Sequence, residues 1–267
     1  LMPELPEVEI VKRSLKNNIN YKKIKRIIIK NRNLRFKIQK NFENILEGRT
    51  VTDILRFSKY IILSLDNSSF CLIHLGMSGT LHLINNKKKN KITNLSFYHS
   101  KTLPKKHNHI QIKFSNFTIV YNDPRRFGFF KIFKNKHEVN KYFEKKGPEA
   151  ISSKFNYKYI KNKLENKSKN IKNFLLDQNF VSGIGNIYSN EILFYCKINP
   201  LKSAKKINNE NIHNISKYSK LVLNLAIKYG GSSIRDFKNI KGVSGSFQNE
   251  FKVYDREKKN CPRKNCR

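Results

Sequence analysis

TVTDILRFSKYIILSLDNSSFCLIHL, running from Thr50 to Leu75, is the stretch whose reading decides the fold. Three runs rich in β-branched and aromatic residues, 50–57, 60–66 and 70–75, are separated by Ser58-Lys59 and by the turn-forming Asp66-Asn67-Ser68. Short apolar runs punctuated in this way read as neighbouring strands. Similar runs occur at 24–30, 80–84, 109–115, 117–122 and 128–133, with Ser115-Asn116 as a further turn, and together they indicate an antiparallel sandwich or barrel. The polar, lysine-rich stretch 85–94 between them reads as an exposed loop. Ahead of the strands, residues 7–18 place Val8, Val11 and Leu15, with Ile10 beside them, on one helical face, and acidic residues crowd the start as a helix dipole favours.

Beyond Phe133 the texture changes to helical runs at 139–145, 157–164, 171–176, 187–194 and 211–228, and Gly147-Pro148 breaks the chain between the two halves. The expected organisation is an α+β chain: a β-sandwich domain with an N-terminal helix over 1–135, a linker over 136–152, a helical domain over 153–239, and a tail over 240–267. That tail begins with Gly and Ser, continues with a strand-like run at 250–254 and ends in a cysteine pair.

The formal charge is +36, from 55 Lys and Arg against 19 Asp and Glu. Such an excess attracts polyanions, nucleic acid first and an anionic membrane second. Part of it reflects a general abundance of Lys, Asn and Ile, so the placement of basic residues among motifs matters more than the total. No apolar run approaches the roughly 20 residues that span a bilayer, and the start lacks a secretory apolar core, so a cytoplasmic protein is expected. Cys71 and Cys196 are isolated in the sequence, which argues against a disulfide framework.

Several segments carry chemistry. Leu1-Met2-Pro3-Glu4-Leu5-Pro6-Glu7 places a proline and a carboxylate where trimming leaves a free secondary amine. An α-amino group with a pKa of about 7.7 to 8.0 is partly uncharged at neutrality, and a secondary amine that attacks a sugar carbon gives an iminium. Glu4 then stands ready as a proton shuttle. Taken alone, the two prolines also suit a stiff chain start or a first helical turn. In His74-Leu75-Gly76-Met77-Ser78-Gly79 a flexible apolar side chain stands between glycines, either a wedge for a base stack or a core methionine. Asn122-Asp123-Pro124-Arg125-Arg126-Phe127-Gly128 is a turn presenting guanidiniums and a ring, which suit phosphates and the gap left by an extruded base. Val181-Ser182-Gly183-Ile184-Gly185-Asn186-Ile187-Tyr188 runs glycines into a helix, where unpaired N–H groups suit a phosphate or the turn is a plain one. Lys59 sits between two strand runs, and in a chain this rich in lysine an exposed surface residue is its default reading.

In this order and spacing the motifs resemble the formamidopyrimidine-DNA glycosylase family of base-excision repair enzymes, over essentially the whole chain. The resemblance implies a sandwich followed by a helix-two-turn-helix domain and a zinc-finger β-hairpin. It implies a bifunctional glycosylase and abasic-site lyase for oxidised purines such as formamidopyrimidines and 8-oxoguanine, acting on double-stranded DNA by β,δ-elimination, as a monomer without a membrane partner. Pro3 matches the nucleophile, Glu4 the general acid and base, and Lys59 the lysine of β-elimination. Met77, Arg125 and Phe127 match the wedge that fills the void after base flipping. His107, Lys167 and Asn186 match DNA contacts, Asn186 a phosphate-binding one, and 242–248 falls where the family covers the flipped base.

Two departures stand out. Leu1 precedes Met2, so the expectation is that translation starts at Met2 and that Met2 is removed, because an acylated Pro3 forms no Schiff base. The family's zinc finger uses four cysteines for one Zn2+, whereas only Cys261 and Cys266 are present here. The site is expected to be incomplete, with a second pair and a DNA-contacting arginine missing. The rival readings are an endonuclease VIII-like enzyme for oxidised pyrimidines and a catalytically dead DNA-binding protein.

Overall fold

The computed structural model of the chain describes residues 2–85, 92–94, 106–232 and 245–263. Helix α1 (Leu5–Ile19) opens it, with a proline in its first turn and a capping box between Glu4 and Glu7. Then come β1 (Arg26–Ile29), a short helix α2 (Phe42–Leu46), β2 (Val51–Phe57), β3 (Tyr60–Leu65), β4 (Phe70–His74), β5 (Thr80–Asn85), β6 (Ile92–Asn94), β7 (Asn108–Lys113), β8 (Phe117–Asn122) and β9 (Phe129–Phe133). The helical half comprises α3 (Lys136–Phe143), α4 (Tyr157–Leu164), α5 (Ile171–Leu176), α6 (Asn186–Tyr195) and α7 (Asn209–Lys228).

The strands form two antiparallel sheets, one ordered β1-β7-β8-β5-β6 and the other β2-β3-β4-β9. In β3, Ile61, Leu63 and Leu65 enter the core shared with α1 and the first sheet, while Ile62 points the other way, to Leu72, Phe129, Phe133 and Val139 of α3. Burial on both faces is why this sheet reads as continuous apolar runs rather than as an alternation. Along α1, Val8, Val11, Leu15 and Ile19 lose all but about a hundredth of their exposure, an apolar stripe at helical spacing. Each such buried side chain contributes about 1.5–3 kcal/mol. A second core gathers Phe155, just ahead of α4, with Ile160, Ile171, Leu175, Ile192 and Leu223 from α4 to α7. Helix α1 packs on β2, β3 and α7, so it ties the sandwich to the helices.

The abundant asparagines find a use here. Asn135, Asn156, Asn170 and Asn208 each accept a backbone N–H from the first turn of the helix they precede, capping α3, α4, α5 and α7. Within the helical half, α6 is the exception, because Gly185 at its start offers no side chain.

Two expectations are corrected. The polar stretch 85–94 ends in β6, whose Ile92 and Asn94 pair with Ile84 and His82 of β5; the free edge of β5 supplies backbone partners that the lysine-rich composition hides. Residues 86–91 lie outside the described residues. The run 250–254 is not a strand: a 3-10 turn spans Phe247–Glu250, and the amides that follow are satisfied by a side-chain carboxylate instead of a neighbouring strand. No strand occurs in 255–263, where the family resemblance implied a hairpin.

Candidate active site

Helix α6 lacks a cap of its own and takes one from the start of the chain. Glu4, buried, accepts the N–H groups of Gly185 at 2.5 Å, Ile187 at 2.8 Å and Tyr188 at 3.4 Å. Leu5 donates its N–H to the Gly183 carbonyl at 3.0 Å. The glycines make this approach possible, since a Cβ on Gly185 would lie 2.5 Å from Glu4 Cδ, and one on Gly183, at φ +100°, 2.5 Å from Leu5 Cδ1. From sequence these N–H groups suit a phosphate, or the glycines make a plain interhelical turn. In the structure they are occupied by Glu4, and the glycines serve the docking of residues 4 and 5.

Burial pushes the Glu4 carboxyl up to about 7, with Glu7 adding to the rise and Lys59 and the α6 amides opposing it. Its partner Glu7 is also buried and also raised by burial, while accepting the Tyr188 hydroxyl at 2.6 Å, the Ser232 N–H at 2.9 Å and the Glu4 N–H at 3.0 Å. Lys59, only 5% exposed, is lowered by burial against the opposing pull of Glu4 and Glu7. Pro3, likewise buried, directly precedes Glu4 in the chain, and the Glu4 carboxyl, poised near neutrality, lies within electrostatic reach of the Lys59 ammonium, which gives up its proton more readily than usual.

The turn carrying Lys59 is fixed from behind. Ser58, at φ +56°, donates its N–H to Glu149 Oε1 at 2.7 Å. The Arg56 guanidinium pairs with that carboxylate, donates to the Ser58 carbonyl at 2.9 Å and reaches Glu9 Oε2 at 2.8 Å. Burial works to raise Glu9, but its bonds to Arg56 and Arg13 hold it below the usual carboxylate range.

Met77, Arg125 and Phe127 come together, with Met2 and His74, around a cavity of about 640 Å³. Because Met2 is among its walls, the cavity opens on the N-terminal segment. The Arg125 guanidinium lies 4.7 Å from the Phe127 ring centroid, and that ring is 42% exposed. Asp123, fully buried, joins the two loops: it accepts the Ser78 hydroxyl at 2.5 Å, the Tyr121 hydroxyl at 2.9 Å and the Gly128 N–H at 2.9 Å. Gly76, at φ +65°, passes so close that a Cβ there would lie 2.4 Å from Gly128 N. Replacing Asp123 by Ala strands three donors and is expected to lower unfolding stability by about 2 kcal/mol or more. Urea titration beside a lesion-binding assay checks this, with binding expected to fall more than the residual folded fraction explains.

His107 is exposed at φ +66°, and its carbonyl accepts the Asp123 N–H at 3.0 Å, so it belongs to the same loop assembly. The Asn186 side chain is exposed at the first position of α6. Lys167 is exposed in the turn after α4, tied through its carbonyl to Lys205 N–H, and belongs to neither cluster. Cys261 is exposed, and Cys266 and residues 242–244 lie outside the described residues. Two thiolates are half of what a structural zinc takes, and the described residues contain no group of three or more His, Cys, Asp or Glu fit to hold a metal. Glu7, Asp123, Arg56 and Glu149 were not singled out from sequence. Glu7 and Asp123 lie inside quoted motifs, where a buried acceptor looks like any turn or capping carboxylate; Glu149 gives no local signal.

Fold and site define a class of protein that docks its own first residues on the N-terminus of a helix from its second half. Family comparison agrees: the formamidopyrimidine-DNA glycosylase N-terminal domain matches residues 2–130, and the H2TH domain of the same enzymes matches 146–238. A formamidopyrimidine-DNA glycosylase from Wolbachia sp. subsp. Drosophila simulans (strain wRi) is 37% identical over 97% of this chain and 91% of its own length. One from Legionella pneumophila subsp. pneumophila (strain Philadelphia 1) is 37% identical over 97% and 90%. The solved complex of Lactococcus lactis Fpg with abasic-site DNA superposes with a TM-score of 0.85 at 33% identity, covering 97% of this chain and 91% of that one. The chain belongs to the formamidopyrimidine-DNA glycosylase family.

Proposed function

We propose that this chain excises oxidised purines from double-stranded DNA through an iminium formed by Pro3 and then cleaves the backbone by β,δ-elimination. It is a DNA glycosylase of base-excision repair, as are the relatives that share its length and fold. The observation that carries the detailed reading is the docking of Glu4, raised to about 7, on the start of α6 beside Lys59 and next to Pro3.

The chemistry requires Pro3 as the first residue of the working protein. Base extrusion costs a few kcal/mol, which Met77, Arg125 and Phe127 offset by filling the gap. The prolyl lone pair then bonds to C1′, the electrons of the glycosidic bond leave with the base, and the base takes a proton. The nitrogen loses its own proton, and the sugar ring opens as O4′ is protonated by Glu4. The resulting iminium acidifies C2′, whose proton goes to a nearby base as the bond from C3′ to the phosphate oxygen breaks; repetition releases the 5′ phosphate. Lys59 assists these transfers from its buried position. None of these steps uses Cys261 or Cys266.

Lys167, Asn186 and His107 are assigned to the DNA backbone, on their exposure and family positions. No helix among the described residues is long and apolar enough to cross a membrane, and the reading places a monomer in a bacterial cytoplasm. The named relatives do not favour the endonuclease VIII-like or the purely binding alternative. Duplexes carrying 8-oxoguanine or oxidised thymine test the substrate: faster excision of the purine is expected, and preference for the pyrimidine would reverse the assignment. Affinity should fall steeply with salt, and Lys167→Ala should reduce the log–log salt slope by about one, whereas Phe127→Ala should slow excision with little change in slope.

A further inference from the structure

Tyr121 lies near the end of β8, a strand hydrogen-bonded on both sides, with Ile110 of β7 and Leu81 of β5 as its register partners. Its side chain is buried in the sandwich core, where the Phe130 ring meets it edge-on at 5.0 Å. The hydroxyl, however, sits at the junction of the two loops that carry Met77 on one side and Arg125 and Phe127 on the other. A Cβ on Gly79 would lie 2.6 Å from that oxygen, and one on Gly128 only 1.8 Å away, so both loops are bare where the phenol touches them. The hydroxyl donates to Asp123 Oδ2 at 2.9 Å, the same oxygen that accepts the Gly128 N–H. The other oxygen of Asp123 holds the Ser78 hydroxyl, which in turn accepts the Arg125 N–H at 3.2 Å. A residue of the rigid sheet therefore orients the one carboxylate that ties the loops together. Burial and the Asp123 charge raise the phenol well above its ordinary range, so it remains a donor wherever the protein is folded.

We propose that Tyr121 is a positioning residue for base extrusion: seated between Gly79 and Gly128, its hydroxyl fixes Asp123 and so holds the Met77 loop and the Arg125–Phe127 turn at the spacing the wedge requires. The inference rests on the reading of Met77, Arg125 and Phe127 as that wedge. Being fully buried, Tyr121 acts through the loops and not on the nucleotide.

Two single-turnover rates at saturating enzyme test it: release of 8-oxoguanine from a duplex, which requires extrusion of the base, and strand cleavage at a pre-formed abasic site, which has no base to extrude. Tyr121→Phe keeps the ring and removes the hydroxyl. It is expected to slow base release about tenfold and to leave cleavage of the abasic duplex within about twofold of the parent rate. In a Met77→Ala background the same change should cost about twofold or less, because the wedge it serves is already impaired. Equal losses in the two rates, a full tenfold loss on top of Met77→Ala, or parent-like base release by Tyr121→Phe would each overturn the positioning role. Parent-like release by Met77→Ala would instead remove the wedge reading on which the proposal stands. If Tyr121→Phe does not fold, 4-fluorophenylalanine at this position, which fills the seat between the glycines without offering a donor, replaces it in the same cycle with the same outcomes.

Discussion

Replacing Glu4 by Gln is expected to slow base release by about two to four orders of magnitude while duplex affinity stays within about tenfold. The carboxyl sits among three amides of α6, where burial raises it to about 7, so near neutrality it is divided between acid and base forms. Gln has no proton to give, and its NH2 must face one of the N–H groups that the carboxylate now accepts, at a local cost of about 1–3 kcal/mol. The pH dependence follows. The acid form of Glu4 is lost as pH rises through about 7, and a free prolyl amine, with an ordinary α-amino pKa of about 7.7 to 8.0, is lost as pH falls, giving a bell near neutrality. The alkaline limb should vanish in Glu4→Gln. Stability has the same sign: because the native pKa is raised, the contribution of Glu4 is fully present below about 4.5 and declines as pH rises through about 7. Single-turnover excision and denaturant titrations between pH 5.5 and 8.5 read both effects.

Gly185→Ala is expected to come close to Glu4→Gln in its effect without touching an ionisable group. A Cβ there would lie 2.5 Å from Cδ, 2.6 Å from Oε1 and 2.8 Å from Cγ of Glu4. The residue has φ −133°, which alanine adopts without strain, so the conflict is with the carboxylate and not with the backbone. A flexible side chain ordinarily moves aside, but this one is buried and held by three amides, and moving it uncaps α6. We expect excision to fall about a hundredfold or more, with the melting transition still cooperative. A variant with parent-like excision would show that the carboxyl need not sit on the helix end.

Most elements were legible from sequence because their causes are local. The β3 region announces itself by Ile61, Ile62 and Leu63 between Ser58-Lys59 and Asp66-Asn67, and α1 by the spacing of Val8, Val11 and Leu15. What escaped was non-local. The bond from Gly185 to Glu4 spans 181 residues, so the glycines read as a plain turn or a phosphate loop, and nothing near them names Glu4 as their partner. Glu191 and 252–254 are about as hidden: β-prone residues form no strand when a carboxylate takes their amides. Asp123 passed as a turn former, since nothing nearby says that Ser78 and Tyr121 will converge on it. Lys59 was placed by family resemblance; its burial and the Arg56–Glu149 pair behind it needed the structure.

The central claim is that the Pro3 nitrogen bonds to C1′ of the damaged nucleotide. Borohydride reduction during reaction with an 8-oxoguanine duplex tests it most directly, followed by proteolysis and mass analysis of the adduct. The account expects a covalent protein–DNA species with the sugar on the N-terminal peptide beginning at Pro3, and none from protein in which Pro3 stays acylated. Active protein that yields no adduct, or an adduct on Lys59 instead, would contradict it.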